Sequence, residues 1–393
     1  RIERTGSGIL ALITNHGYLD NPTFRGMRQS LMKIFNEIYI FDLHGNAKKK
    51  ERSPNGSPDK NVFDIQQGVT IGIFVKNPRE SEPFRVRHAD IYGPRELKYQ
   101  SLIDSDLQNT NWTLFEPQSP FYLFVPRDTR LLIEYQLGWK VTDIFPINSV
   151  GIVTARDSLT IHWSVEDVWN TILNFASISP EEAREKFQLG KDVRDWKVHL
   201  AQGDVQSSGP KHDKIVPVLY RPFDIRFTYY TGQTRGLICM PRPQVMGHIL
   251  NKENIALITS RLTKGETFKH VQVTKNISEV ICMSPTTSNN GFIFPVYLYP
   301  KDNDSKKEQK NLTNESWPPG KNGRVPNIGL EFIASLQEKI GINFISDGHG
   351  DLTTTFGPED IFHYIYAVFH SPTYRQRYAE FLKIDFPRVP MTS

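Results

Sequence analysis

Asn61-Val62-Phe63-Asp64-Ile65-Gln66-Gln67-Gly68-Val69-Thr70-Ile71-Gly72-Ile73-Phe74-Val75-Lys76 decides how the N-terminal part of this chain folds. Its second half, Thr70 to Val75, is apolar and rich in β-branched residues, the composition of a buried strand. Its first half is a polar lead-in carrying one aromatic, Phe63. Such a loop can offer a flat ring beside a sheet, or the ring can anchor the foot of the strand in the core. On the residues alone the anchor is the better reading.

Working outward, Gly8 to Thr14 is a short apolar strand. Asn21 and Pro22 then suit a helix start, because Asn caps and Pro fits the first helical position. Phe24, Met27, Leu31 and Ile34 recur at helical spacing and are expected to face the sheet in a helix over 23–35. Glu37 to Leu43 is the next strand. Gly45 to Lys60 is polar, with Lys48, Lys49, Lys50 and Arg52 beside Pro54-Asn55-Gly56, and reads as an exposed loop. Too few residues separate Glu37–Leu43 from Thr70–Val75 for a crossover helix, so these strands should pair antiparallel. Asn77 to about Thr110 reads as a tail of this domain, and Trp112 to Pro126, aromatic and proline-rich, as a connector. A second, less regular region opens at Phe145-Pro146-Ile147-Asn148-Ser149-Val150-Gly151. Ser179-Pro180-Glu181-Glu182 looks like a capped helix start. Lys301 to Arg324 is polar and reads as a mobile surface loop. Helices are expected over 327–340, 358–370 and 372–383, the second apolar nearly all round and therefore buried.

The whole chain, 393 residues, has room for two domains with cores of their own. Hydrophobic content of 38%, charged content of 23% and a net charge of +4 fit a globular protein and do not by themselves demand nucleic acid. Cys239 and Cys282 are too few for a disulfide framework and fit a reducing cytosol. No run reaches transmembrane length, so no membrane partner is expected. A start on Arg1 without a signal peptide reads as a cut inside a longer polypeptide. Without a secretion signal, Asn311-Leu312-Thr313 and Asn314-Glu315-Ser316 match the glycosylation pattern by chance. The 11 histidines show no Cys/His ligand spacing, so no metal is expected. His363 and His370 read as core or capping residues. Asp347-Gly348-His349-Gly350-Asp351 reads as a tight turn in preference to an ion loop. No phosphate-binding loop or nuclease carboxylate cluster is recognisable, which argues against ATPase and nuclease chemistry.

The order strand, helix, strand, basic loop, strand resembles the C-terminal half of the catalytic domain of adenine-specific DNA methyltransferases. Asp20-Asn21-Pro22-Thr23-Phe24-Arg25-Gly26-Met27-Arg28-Gln29, Asp42-Leu43-His44-Gly45-Asn46 and Asn61 to Gly68 are similar to type ISP restriction-modification enzymes, single polypeptides with nuclease, helicase, methyltransferase and target-recognition regions. The resemblance implies an antiparallel hairpin at one side of an otherwise parallel sheet. It also implies that Phe63 stacks on a flipped base, which makes that role the better reading here. The family's cofactor loop and Asn/Asp-Pro-Pro-Tyr/Phe motif are expected upstream of Arg1. Gly6-Ser7-Gly8 precedes a strand instead of following one, and Asn21-Pro22-Thr23-Phe24 lacks the second proline and is explained by capping. S-adenosylmethionine is thus the cofactor of the parent enzyme and is not expected to bind residues 1–393 alone.

Arginine and aromatics interleave at Tyr220-Arg221-Pro222-Phe223-Asp224-Ile225-Arg226-Phe227-Thr228-Tyr229-Tyr230, a region that corresponds in the family to target recognition. Arg221 and Asp224 read as an internal brace. Arg226, Tyr229, Tyr230, Arg235, Arg242 and Arg261 are candidates for contact with double-stranded DNA, since arginine grips phosphate and reads guanine edges. Lys48, Lys49, Lys50 and Arg52 are either solvated or in contact with phosphates.

The expected fold is α/β over 1–110, the C-terminal half of a Rossmann-like methyltransferase sheet with an antiparallel hairpin. A connector over 111–144 and an α+β target-recognition domain with a helical C-terminus over 145–393 follow. The expected function is the C-terminal part of an adenine-specific DNA methyltransferase, partnered by upstream methyltransferase, helicase and nuclease regions of the same polypeptide. The alternative is a non-catalytic, sequence-specific DNA-binding module; an in-frame cofactor loop upstream of Arg1 would decide for the first and a start codon near Arg1 for the second. Replacing Lys48, Lys49, Lys50 and Arg52 by Ala in the parent enzyme should flatten the salt dependence of duplex binding, whose slope is roughly −0.9 per phosphate contact. An unchanged slope in a filter-binding titration would show that this loop does not touch DNA.

Overall fold

The computed structural model describes residues 2–49, 51–78, 84–128, 130–263, 267–284, 289–300 and 318–391. They form two compact units, one over Arg1–Arg130 and one over Leu131–Thr263 and Thr267–Ser393.

The first unit is built on a five-stranded sheet of order β1-β3-β2-β4-β5, with β1 Gly8–Asn15, β2 Glu37–His44, β3 Val69–Lys76, β4 Arg85–Asp90 and β5 Thr113–Phe115. β3 runs antiparallel to both β1 and β2 and lies between them. β2 and β4 are parallel, and β5 closes the far edge antiparallel to β4. The expected antiparallel pairing of Glu37–Leu43 with Thr70–Val75 is present. Residues 77–110 are no tail, because β4 completes the sheet and a helix over Arg95–Asp104 follows it. The stretch 111–144 is not a free connector either. β5 and Phe124 belong to the first unit, while Tyr135, Val141 and Ile144 enter the core of the second.

Ile38, Ile40, Phe74 and Val86 from the strands pack with Tyr18, Leu19, Phe35 and Phe124 to form the core of this unit. β1 is an edge strand, and its Ile9 and Ile13 are exposed. Asn21 and Pro22 start a 3-10 turn over Pro22–Phe24, in which Asn21 Oδ1 accepts the Thr23 N–H (2.9 Å); the helix over Arg25–Ile34 follows that turn and begins on Phe24 without a side-chain cap. Its inner face differs from the periodicity. Leu31 and Ile34 pack on the core, but Phe24 and Met27 are exposed and Arg28 is fully buried. The Arg28 guanidinium donates to the carbonyls of Tyr18 (2.7 Å), Asn21 (2.9 Å), Tyr122 (2.8 Å) and Phe121 (2.6 Å). Burial lowers its pKa to about 10 against the opposing pull of Asp20. Carbonyls at the ends of two loops need donors here, and that requirement outweighs the apolar repeat.

The second unit holds several small sheets. The largest has the order Val271–Thr274, Ala256–Ser260, Gly291–Pro295, Ser149–Val150, all antiparallel. A second joins Ile277–Ser278 parallel to Ile215–Arg221, which forms an antiparallel hairpin with Asp224–Tyr229. The helix over Pro180–Lys186 starts on a full Ser179–Glu182 capping box. Helices over Leu330–Ile340, Pro358–His370, Pro372–Arg377 and Ala379–Leu382 dominate the C-terminal part, and a short strand at Arg388–Val389 follows them, antiparallel to Trp139–Lys140. Ile361, Phe362, Ile365 and Phe369 bury one face of the second of these, but His363 and His370 lie on its exposed face, not in the core. Asp351 Oδ1 accepts the N–H groups of Thr353, Thr354 and Thr355, which makes this segment a turn. Both cysteines are free and buried. Lys301 to Trp317, with Asn311 and Asn314, lie outside the described residues. No helix among the described residues is long and apolar enough to cross a membrane.

Arg28→Leu should destabilise the first unit by about 3 kcal/mol or more, since four carbonyls lose their donor at about 1 kcal/mol or more each. Hydrogen exchange of the β1–β4 amides reads this directly. Unchanged protection would show that the guanidinium is dispensable.

Candidate nucleic-acid interface

The first candidate surface is built where β2 ends. The register of β2 against β3 slips between Asp42 and His44, and His44 (φ +51°) and Gly45 (φ +80°) both take left-handed backbone. A non-glycine residue in that region is strained and needs its surroundings to hold it. His44 is held on every side. Its N–H donates to Asp42 Oδ1 (3.0 Å), Nδ1 meets Glu51 Oε1 (2.8 Å), Nε2 meets Asp90 Oδ1 (2.6 Å), and its ring stacks on Tyr92 at 3.8 Å. Burial opposes a charge on this ring, but Asp90 and Glu51 outweigh it and raise the pKa to about 10, so His44 is an imidazolium. Burial likewise opposes ionisation of Asp42, yet His16 and His44 hold its carboxyl below the usual range. His16 Nδ1 stands 3.0 Å from Asp42 Oδ1, and Asn46 Nδ2 stands 3.0 Å from His16 Nε2.

The Phe63 loop is laid on this base. Gly45 packs so closely on Asn61 that a Cβ there would come within 2.4 Å of the Asn61 Cα. The Asn61 side-chain amide donates to the carbonyls of Gly45 (3.1 Å) and Gln67 (2.6 Å), and its Oδ1 accepts the Phe63 N–H (2.8 Å). The helix over Arg95–Asp104 pins the other side. Arg95 Nε donates to the Asn61 carbonyl (2.8 Å), Tyr99 OH to the Val62 carbonyl (2.5 Å), and Lys98 Nζ pairs with Asp59 Oδ1 (2.8 Å) with neither side chain exposed. Gly68 closes the loop against the His16 ring, which a Cβ would meet at 2.3 Å. Val62, not Phe63, is the buried anchor; Phe63 is 45% exposed. The loop therefore presents a ring from a rigid frame at the ends of β1 and β2.

In the basic loop, Arg52 Nη1 donates to the Gly56 carbonyl (2.9 Å) and Lys48 is exposed. The side chain of Lys49, and Lys50 altogether, lie outside the described residues.

The candidates in the second unit separate into three kinds. Tyr229 and Tyr230 are core residues, and their hydroxyls donate to the carbonyls of Gly209 (2.9 Å) and Pro241 (2.9 Å). They offer no face to a ligand, which corrects their place among the contact candidates. Arg226 forks onto Asp224 (2.9 Å) and lies between the rings of Trp163 (3.9 Å) and Tyr220 (4.3 Å). The expected Arg221–Asp224 brace is re-partnered: Arg221 grips Glu279 (2.7 Å) instead. Arg242 sits in left-handed backbone with Nη2 against Met240 Sδ at 3.3 Å. Arg235 is 62% exposed and 3.8 Å from Asp195, and Arg261 is 49% exposed and 3.4 Å from Asp385. These two retain the reach a surface contact needs. At the hairpin tip Phe223 is 96% exposed with φ +62°, and Trp163 is exposed beside the Arg226 stack.

Sequence spacing missed the histidine–carboxylate cluster. Among the described residues, ligand-type atoms of His16, Asp42 and His44, and of Asp42, His88 and Asp90, lie within 4.8 Å of one another. Asp42 and His44 lie on β2, His88 and Asp90 on β4, and His16 in the turn after β1, so no single linear motif marks the set. Only Asp42-Leu43-His44-Gly45-Asn46, a dense polar run at the end of an apolar strand, signalled part of it.

Residues 143–393 match the family model described as the Type ISP C-terminal specificity domain. No curated protein matches the chain. Three solved structures share its fold. The DrdV–DNA complex seen by cryo-electron microscopy is 22% identical with a TM-score of 0.67, over 98% of this chain and 36% of that one. A nuclease-deletion mutant of the Type ISP restriction-modification enzyme LlaGI, in complex with a DNA substrate mimic, is 22% identical with a TM-score of 0.64, over 99% and 34%. The ATP-dependent Type ISP enzyme LlaBIII bound to DNA is 19% identical with a TM-score of 0.68, over 99% and 24%. This chain spans about a quarter to a third of the length of those structures. With a family match over well more than half of its length, the chain belongs to the Type ISP C-terminal specificity domain family.

Proposed function

We propose that residues 143–393 recognise a specific site in double-stranded DNA as part of a restriction-modification enzyme, and that the first unit is the C-terminal end of its adenine-specific methyltransferase. The observation that carries the target-recognition half is the family match over 143–393. The likeness in fold to three solved structures that contain DNA or a DNA mimic supports it. Arg235 and Arg261 are the side chains best placed to meet DNA, Arg226 and Arg242 following.

For the first unit, support comes from β3 lying antiparallel between two strands of like direction and from the exposed ring of Phe63 at their ends. Ligands of open α/β sheets gather at the carboxyl ends of their strands. A base drawn out of the duplex would stack on Phe63, and the hydrogen bonds that pin its loop keep that platform from yielding. S-adenosylmethionine supplies the methyl group in this chemistry. No glycine-rich turn leads from a strand into a helix among the described residues of this unit, so they do not fit that cofactor. We place its binding on sequence outside these 393 residues. The exposed apolar edge of β1 suits a surface on which further sheet is laid.

Phe63→Ala in the parent enzyme should lower methylation of a duplex bearing the target site by about 5- to 150-fold, since stacking is worth ~1–3 kcal/mol per base. Duplex affinity should change less. Wild-type methylation by a correctly folded variant would remove Phe63 from the reaction. Calorimetric titration of the 393-residue chain should show salt-dependent heat with duplex DNA and none with S-adenosylmethionine; stoichiometric heat with the cofactor would overturn its placement elsewhere.

A further inference from the structure

The parallel pairing of β2 with β4 sets Ile38 beside Val86, Ile40 beside His88 and Asp42 beside Asp90. Residues in register on neighbouring strands point to the same face, and alternate residues share it. That face is apolar at Ile38, Ile40 and Val86, then turns to ligand-type side chains at Asp42, His88 and Asp90 where the strands end. His88 is the anomaly. It is 2% exposed, and neither Nδ1 nor Nε2 makes a hydrogen bond among the described residues. Every other member of the cluster is hydrogen-bonded. Buried polar atoms nearly always find a hydrogen bond, and a ring with none on either nitrogen calls for a water or an ion.

The surroundings favour the ion. His88 Nδ1 stands 3.5 Å from Asp90 Oδ2, and Asp90 gives its other oxygen to His44. Two ligands about 2.0–2.1 Å from a tetrahedral ion stand roughly 3.4 Å apart, so this spacing already suits coordination. Asp42 supplies a third donor within 4.8 Å of both. Carboxyl groups also converge here: Asp42, Glu51 and Asp90 lie 3.7, 2.8 and 2.6 Å from the His44 ring nitrogens. Asp90 has 43% of its side chain exposed, which leaves an entry path to an otherwise buried place.

We propose that Asp42, His88 and Asp90 bind one divalent transition-metal ion of the zinc or manganese class, with water completing its shell. One imidazole and two carboxylates are a mixed nitrogen and oxygen set, which suits these ions better than calcium or magnesium. The ion ties the ends of β2 and β4 together one residue pair below the turn that supports the Phe63 loop. Its role is structural, and the inference stands on this geometry whether or not the first unit belongs to a methyltransferase.

The test uses the 393-residue chain, stripped with chelator, incubated with ZnCl2 or MnCl2, and freed of excess ion before elemental analysis. The wild-type chain should keep about one equivalent and gain thermal stability with it. His88→Gln and Asp90→Asn should each keep less than a tenth of that, while His363→Gln, at an exposed histidine elsewhere, keeps it all. Cobalt substitution should give a visible d–d absorption in the wild-type chain that Asp90→Asn abolishes. Asp90→Asn changes a half-exposed side chain and keeps its shape, so it remains informative if His88→Gln does not fold. No retained ion in the wild-type chain, or equal retention in both variants, would overturn the proposal and leave water as the partner of His88.

Discussion

The buried ion pair of Lys98 with Asp59 organises the open end of the first unit. Asp59 also accepts the N–H groups of Gly45 (2.6 Å) and Gly93 (2.7 Å), and Lys98 also donates to the carbonyls of Leu43 (2.6 Å) and Lys60 (2.7 Å). The exit of β2, the approach to Phe63 and the start of the helix over Arg95–Asp104 therefore meet on two side chains. Taking both charges out of water is costly, and only this saturation with backbone partners makes the pair tolerable. Removing either partner would leave the other charge uncompensated. The position of the Phe63 ring depends on this pair more than on any apolar contact of its own.

What was legible in the sequence followed from how each segment is buried. Thr70 to Val75 sits between two strands, so its apolar run is continuous and plain. β4 is half-buried, and Arg85 and Arg87 alternate with Val86 and His88; its short, charged pattern passed for a tail. The helix over Arg25–Ile34 follows its periodicity only at Leu31 and Ile34, because the turn before them is occupied by a buried guanidinium. The left-handed pair His44-Gly45 had a glycine to announce half of it, but nothing local told that His44 would share the strain.

In the second unit the arginine-rich stretch gave the right kind of residue and the wrong contacts. Tyr229 and Tyr230 carry polar tips that pass for surface, yet backbone carbonyls satisfy both, and the rings fill the core. Arg221 and Arg226 are held by Glu279 and Asp224, and a guanidinium already committed to a carboxyl group has fewer donors to offer a phosphate. Pairing is a property of the fold, since Glu279 lies 58 residues from Arg221. The tip between them is apolar instead: Phe223 projects into solvent, and Arg226 stacks under Trp163.

The carbonyl cage around Arg28 has a consequence for the order in which the chain folds. Two of its four acceptors, Phe121 and Tyr122, lie 93 and 94 residues downstream. During synthesis the helix over Arg25–Ile34 can form early, but its buried cation has no complete shell until residue 122 has left the ribosome. Until then the guanidinium is better solvated than inserted, so the inner face of that helix cannot settle on the sheet. The first unit should thus close late and all at once, with β1, β2 and β3 held as an unfinished sheet while β4, β5 and the loop after them are still being made.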